Sequence, residues 1–228
     1  FETAETRWLG LQTAIGTSGA FAFEIDDVAL VGARAPGAPH GGATQSRVKR
    51  TPASAVAGAR WEPLGTDPAG DGTKALLPDA VSLGSWTSGS TVWFRVGLAA
   101  PMGEDFGVNL VLDLDGDPAN GEPWWGKNTA FRFDLLVSAW AFASSSSTLD
   151  GAIGIARAGD AVKGSVIDES LGAPRIVAAP GGKEIYIGVP SALLGAAAPI
   201  RVVAAVGSTF LHNDDLPDSG AAQLARLP

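Results

Sequence analysis

The chain has 228 residues, with 16 basic and 24 acidic side chains and a formal charge of −8. It is long enough to bury a sizeable core, and its acidity argues against nucleic acid or an anionic membrane surface as the main partner. The absence of cysteine excludes disulfide staples, thiolate metal sites and a cysteine nucleophile.

Thirty glycines and fifteen prolines, with scarcely any helical periodicity, predict many short strands joined by turns. Residues 7–15 and 20–31 alternate as a hairpin, with Phe21, Phe23 and Ile25 on one face and a turn at Thr17-Ser18-Gly19. Residues 33–60 shift to Ala, Gly, Pro and Thr with scattered basic side chains (Arg34, His40, Arg47, Lys49, Arg50, Arg60), the composition of a linker or arm. Strand patterns resume after Trp61 at residues 80–86, 91–99, 106–113, 129–138, 151–156, 161–167, 175–179, 184–189 and 200–206. Residues 144–147 form a polar loop, and Pro190 to Gly195 reads as one short helical turn. This pattern predicts an all-β, two-sheet antiparallel sandwich of jelly-roll or immunoglobulin type over residues 61–228, with an N-terminal hairpin extension. Alternation places Val92, Phe94, Val96, Leu110, Leu112, Phe131, Phe133, Ile185, Ile187 and Val203 in its core. No apolar run approaches the roughly 18 to 20 residues of a membrane span, so no transmembrane segment is expected.

Residues 109–126 read NLVLDLDGDPANGEPWWG, a strand running into three alternating aspartates and a tryptophan pair. Asp113, Asp115 and Asp117, with a backbone carbonyl near Asn120, form a candidate site for a hard cation such as calcium. It is not an EF-hand loop, because Trp124 falls where the bidentate Glu is required. The bland reading is a solvated hairpin turn. Two further acidic turns, holding Asp67 and Asp71 near the start of this span and Asp214, Asp215 and Asp218 near its end, are placed to share a second cation if the ends of the domain meet. Trp124 and Trp125, followed by Lys127 and Asn128, set flat apolar rings beside hydrogen-bonding groups, a combination that suits a pyranose. Against this, with seven tryptophans in the chain most must be core, Trp86 and Trp93 among them.

The order DPAGDG, PDAVSLGSW, TVWFRVGLA, VNLVLDLDGDPANG, VPSALLG and NDDLPDSG resembles the DOMON-like and family 9 carbohydrate-binding-module-like sandwich domains of secreted bacterial proteins. The resemblance covers residues 61–228 and implies a non-catalytic module, extracellular or periplasmic, with its signal peptide removed. It implies a glycan ligand or, in other members, haem b held by a methionine and a histidine, here Met102 and His212. Each has a plain alternative, Met102 as core filler and His212 as a surface turn. No nucleophile elbow or paired acid and base stands out, so the chain reads as non-enzymatic. The rival reading is an accessory structural subunit that docks on a larger cell-envelope assembly through its N-terminal arm.

Overall fold

The computed structural model describes residues 51–103, 105–141, 150–156, 167–168, 171–172, 174–178, 182–195, 199–208 and 211–224. The expected hairpin over residues 1–32, the first part of the expected linker, the polar loop at 144–147 and all but the last residue of the strand expected at 161–167 lie outside them. Among the described residues the regular structure is strand, with single 3-10 turns at Ala53–Val56 and Ser191–Leu193.

Two antiparallel sheets form the sandwich. The five-stranded sheet runs β1 (Glu62–Thr66), β2 (Ala80–Ser88), β3 (Thr91–Leu98), β11 (Glu184–Pro190), β10 (Arg175–Ala178). The second sheet runs β13 (His212–Leu216), β12 (Ile200–Gly207), β4 (Phe106–Asp113), β7 (Leu135–Ala141), β8 (Asp150–Ala156), β9 (Ile167–Asp168), with β14 (Ala222–Leu224) also on β12. Strict alternation builds the layer between them. In β3, Val92, Phe94, Val96 and Leu98 point inward, while Trp93 and Arg95 fall on the outer face. The inward set meets Val108, Leu110 and Leu112 of β4 and Val202, Ala204 and Val206 of β12 in one apolar cluster. Each large side chain so buried contributes about 1.5–3 kcal/mol of transfer free energy. All ten residues expected in the core are buried. The β2–β3 hairpin turns through Gly89-Ser90, and Gly89 at φ 57° supplies the left-handed first corner that such two-residue turns need.

A second apolar cluster lies on the outside of the larger sheet. Val111, Leu136, Val203 and Ala205, which point away from the sandwich interior, are covered by Trp124, Phe131 and Phe133. The cover is a short hairpin of β5 (Glu122–Pro123) and β6 (Arg132–Phe133) that folds back over the sheet. The strand expected over residues 129–138 is therefore two elements, broken at Asp134, whose N–H is bonded to the carbonyl of Leu112. Phe131 and Phe133 are buried in this outer layer rather than between the sheets.

The last part of the expected linker packs on the sandwich. The Thr51 N–H donates to the Ile176 carbonyl at 2.9 Å on strand β10, and the 3-10 turn that follows stays beside it.

Candidate functional site

The acidic loop after β4 is held largely by its own backbone. Asp113 Oδ1 accepts from Gly116 N at 2.7 Å, Asp115 Oδ1 from Asp117 N at 2.9 Å and Asp117 Oδ1 from Ala119 N at 2.9 Å. The Asn120 amide donates to Asp115 and Asp117. These bonds, led by that from Asp117 N, hold the Asp115 carboxyl below its usual range. Arg201 Nη1 meets Asp113 Oδ2 at 2.9 Å and stacks its guanidinium over Phe131. The carboxylates that converge within 4.8 Å are Asp113, Asp115 and Asp134, not Asp117. Asp134 comes from the β6–β7 junction, accepts from Leu114 N at 2.8 Å, and has its pKa raised by burial. Three carboxylates of this kind suit a hard divalent cation. Asp117 and Asn120 close the turn instead.

The tryptophan pair belongs to the cover. Trp124 is 3% exposed, stacks on Trp125 with centroids 4.6 Å apart and meets Phe133 edge-on. Trp125 is half-buried against Trp124 and Phe133. Asn128 is buried, its amide donating to the carbonyls of Pro217 and Gly220 at 3.0 and 2.9 Å. Trp124 and Asn128 are buried and Lys127 is partly so; all three fasten the hairpin to β13 and the turn after it.

That fastening is polar and buried, and β13 supplies it. Asp215, 0% exposed, accepts on Oδ2 from Trp124 Nε1 at 2.9 Å and from Asn128 N at 2.6 Å. Its Oδ1 lies 2.9 Å from His212 Nε2, which accepts from the Lys127 N–H at 3.3 Å. Burial pushes the Asp215 carboxyl up to about 6 against the pull of its two donors, and pushes the His212 imidazole down. Gly126 is needed here, since a Cβ would fall 2.2 Å from Trp124 Nε1 and 2.7 Å from Asp215 Oδ2. His212 is thus committed to this contact. Met102, the other haem ligand the resemblance offers, is 6% exposed and fills the core between the sheets.

The two remote acidic turns do meet. Asp67, Asp71, Asp214 and Asp218 converge within 4.8 Å, and the ammonium of Lys127 lies among them, 2.6 Å from Asp218, 3.3 Å from Asp214 and 3.4 Å from Asp71. Burial opposes the charge on Lys127, but the hydrogen bonds to Asp218 and Asp214 prevail and raise its pKa above the usual lysine range. Asp67 is pushed up to about 6 by burial first and then by repulsion from Asp71, Asp218 and Asp214. The Lys127 ammonium thus places one positive charge among these carboxylates.

An accessible aromatic cluster occurs elsewhere, on the outer face of the five-stranded sheet. Trp61, just before β1, lies 5.4 Å from Tyr186 and 6.1 Å from Trp86, centroid to centroid, with the Arg95 guanidinium 5.4 Å from its own ring. All three rings are partly exposed. Cross-strand register puts Val177, Tyr186, Arg95 and Gly84 in one row, and Arg175, Gly188, Trp93 and Trp86 in the next. Trp93 is buried, with the Arg175 guanidinium 5.6 Å from its ring, and a Cβ on Gly188 would press it at 3.0 Å. The Tyr186 hydroxyl donates to Glu184, and burial followed by this bond raises its pKa. Alongside runs a groove of about 450 Å³ whose lining includes Val56, Val177, Lys183, Glu184 and Tyr186. The sequence reading assigned Trp86 to the core and passed over Trp61 and Tyr186. The alternation of β2 and β11 held the clue, because Trp86 and Tyr186 share the outward parity of Arg95.

Fold and site together define an all-β antiparallel sandwich with one covered and one aromatic outer face. No protein-family model matches the chain, and no curated protein matches it.

Proposed function

We propose that the chain is a non-catalytic, extracytoplasmic carbohydrate-binding module whose ligand platform is the outer face of the five-stranded sheet around Trp61, Trp86 and Tyr186. The supporting observation is that cluster of three partly exposed rings, set beside a groove and interleaved with Arg95 and Glu184. Aromatic faces take the apolar C–H face of a sugar, while guanidinium, carboxylate and phenol groups take its hydroxyls. Glycines 84 and 188 keep the sheet surface low between them. In this reading calcium, held by Asp113, Asp115 and Asp134, orders the loop that leads into the cover hairpin. The docking of Thr51 on β10 also fits a self-contained module better than an arm that reaches outward from residue 51.

Retention on immobilised polysaccharides tests the reading. Trp61→Ala and Tyr186→Ala should weaken retention by about 1–3 kcal/mol each, the scale of a buried aromatic contact, with the thermal transition kept. Trp125→Ala, on the opposite side of the sandwich, should leave retention unchanged. A panel of glycans with no binder, or equal losses at Trp61 and Trp125, refutes the assignment.

A further inference from the structure

In a chain of net charge −8, among the described residues the rows of the aromatic face and the groove beside it carry Arg95, Arg175 and Lys183 against Glu184. The convergent aspartates lie elsewhere, around Lys127 and in the loop after β4. The arginines are also poised toward a ligand. Arg95 and Arg175 each set the guanidinium carbon over an indole, 5.4 Å and 5.6 Å from the ring centroids, a contact that consumes none of the five N–H donors of the group. The Arg95–Glu184 contact is long, at 3.8 Å, and Glu184 is already engaged by the Tyr186 hydroxyl. Lys183 spends one N–H on the Ala99 carbonyl at 3.0 Å and remains exposed beside the groove.

From this we infer that the ligand of the aromatic face is an anionic glycan, a saccharide chain carrying carboxylate or sulfate groups. The inference rests on the carbohydrate-binding reading and narrows its substrate class. Rings accept the sugar faces, and the basic groups at the strand rows and the groove rim accept the anions between them. Planar N–H edges of the kind Arg95 and Arg175 present match a carboxylate or sulfate bidentately. A repeating anion also answers their spacing. Arg95 and Arg175 stand in adjacent rows on strands separated by β11, so neighbouring strands about 4.8 Å apart place them within reach of successive charged sugars.

The test uses the full chain in affinity electrophoresis and calorimetry with four probes: polygalacturonate (carboxylated), dextran sulfate (sulfated), and neutral xylan and dextran. Binding to at least one anionic probe is expected at 50 mM NaCl, with the affinity falling about tenfold or more by 500 mM as salt screens exposed charges. The double variant Arg175→Ala with Lys183→Ala, both exposed side chains, should keep its melting temperature and lose about fivefold or more on that probe. Which anionic probe prevails identifies the anion, and either one supports the inference. Neutral glycans bound as tightly, without salt response, overturn it while leaving the carbohydrate reading intact. Anionic binding unchanged in the double variant overturns the placement on this face. Failure of all four probes removes the carbohydrate reading itself.

Discussion

The indole nitrogen of Trp124 donates to Asp215 across 2.9 Å, joining residues 91 positions apart in the chain. Through this bond the hairpin that covers the larger sheet is tied to β13, and the carboxylate involved is wholly enclosed. Asp215→Ala leaves the Trp124 and Asn128 N–H groups buried without an acceptor, at about 1–3 kcal/mol each. Urea unfolding should show that loss, and Trp124 fluorescence should shift to the red below the global transition as the hairpin loosens. A variant as stable as the parent would refute the tie.

Gly126→Ala probes the same junction sterically. The new methyl meets Trp124, Asp215 and His212 at 2.2–2.7 Å, so about 1–3 kcal/mol of overpacking is expected. The urea midpoint should fall accordingly, whereas Gly103→Ala, where a Cβ meets nothing within 4 Å, should leave it in place.

Much of this was legible in advance, and the remainder failed for physical reasons. Period-two alternation located the inter-sheet residues of β3, β4 and β11, because a sheet face buried against another sheet leaves no freedom of parity, whereas Phe131, Phe133 and Val203 are buried on the outer side of the larger sheet. Strand β13 escaped because Asn213-Asp214-Asp215 has the composition of a turn, and the partners that make its burial tolerable come from far away. Asn213 bonds the backbone of Lys74 and Pro78, Asp214 accepts from Ala80 N, and Asp215 accepts from the cover hairpin. Trp124 was misplaced for a related reason. Its neighbours Val111 and Val203 sit on the outward face of their strands, and local pattern does not reveal that a hairpin returns to cover it.

The charge node around Lys127 predicts a pH response. Asp67 has a folded-state pKa near 6, above the ordinary 3.8, so the folded state holds its proton more tightly than the unfolded one. Its contribution favours folding below about pH 4 and is lost as pH rises through 6. Asp67→Asn should therefore raise the free energy of unfolding in urea at pH 7.5 by on the order of 1 kcal/mol after allowance for solvent screening, and leave it unchanged at pH 3.5. A gain equal at both pH values would show that ionising Asp67, buried and beside other carboxylates, is not the cause.

Lys127→Met removes the cation from four convergent carboxylates. At pH 7.5 the loss should reach about 1–2 kcal/mol, less than for a fully enclosed pair because the lysine side chain is 24% exposed. Urea titrations at pH 7.5 and 4.5 should show the deficit shrinking at the lower pH, where the Asp67 carboxyl takes up a proton.

The acidic loop separates two ligand sets. If calcium orders it, a chelator should lower the melting temperature by mass action, and Asp134→Asn should abolish that response. Asp117→Asn, outside the convergent group, should preserve it. Calorimetry with calcium chloride reads the same difference directly.

The cover hairpin also bears on how this protein can fail. Beneath it Val111, Leu136, Val203 and Ala205 make a continuous apolar strip across three adjacent strands, and the lid is held down both by its aromatic side chains on that strip and by a set of buried polar ties. A partial opening that leaves both sheets intact would bare that strip to other copies of the chain. Solubility under stress is then governed less by the melting of the sandwich than by a few hydrogen bonds around Asp215, and self-association should set in well before the strands unpair.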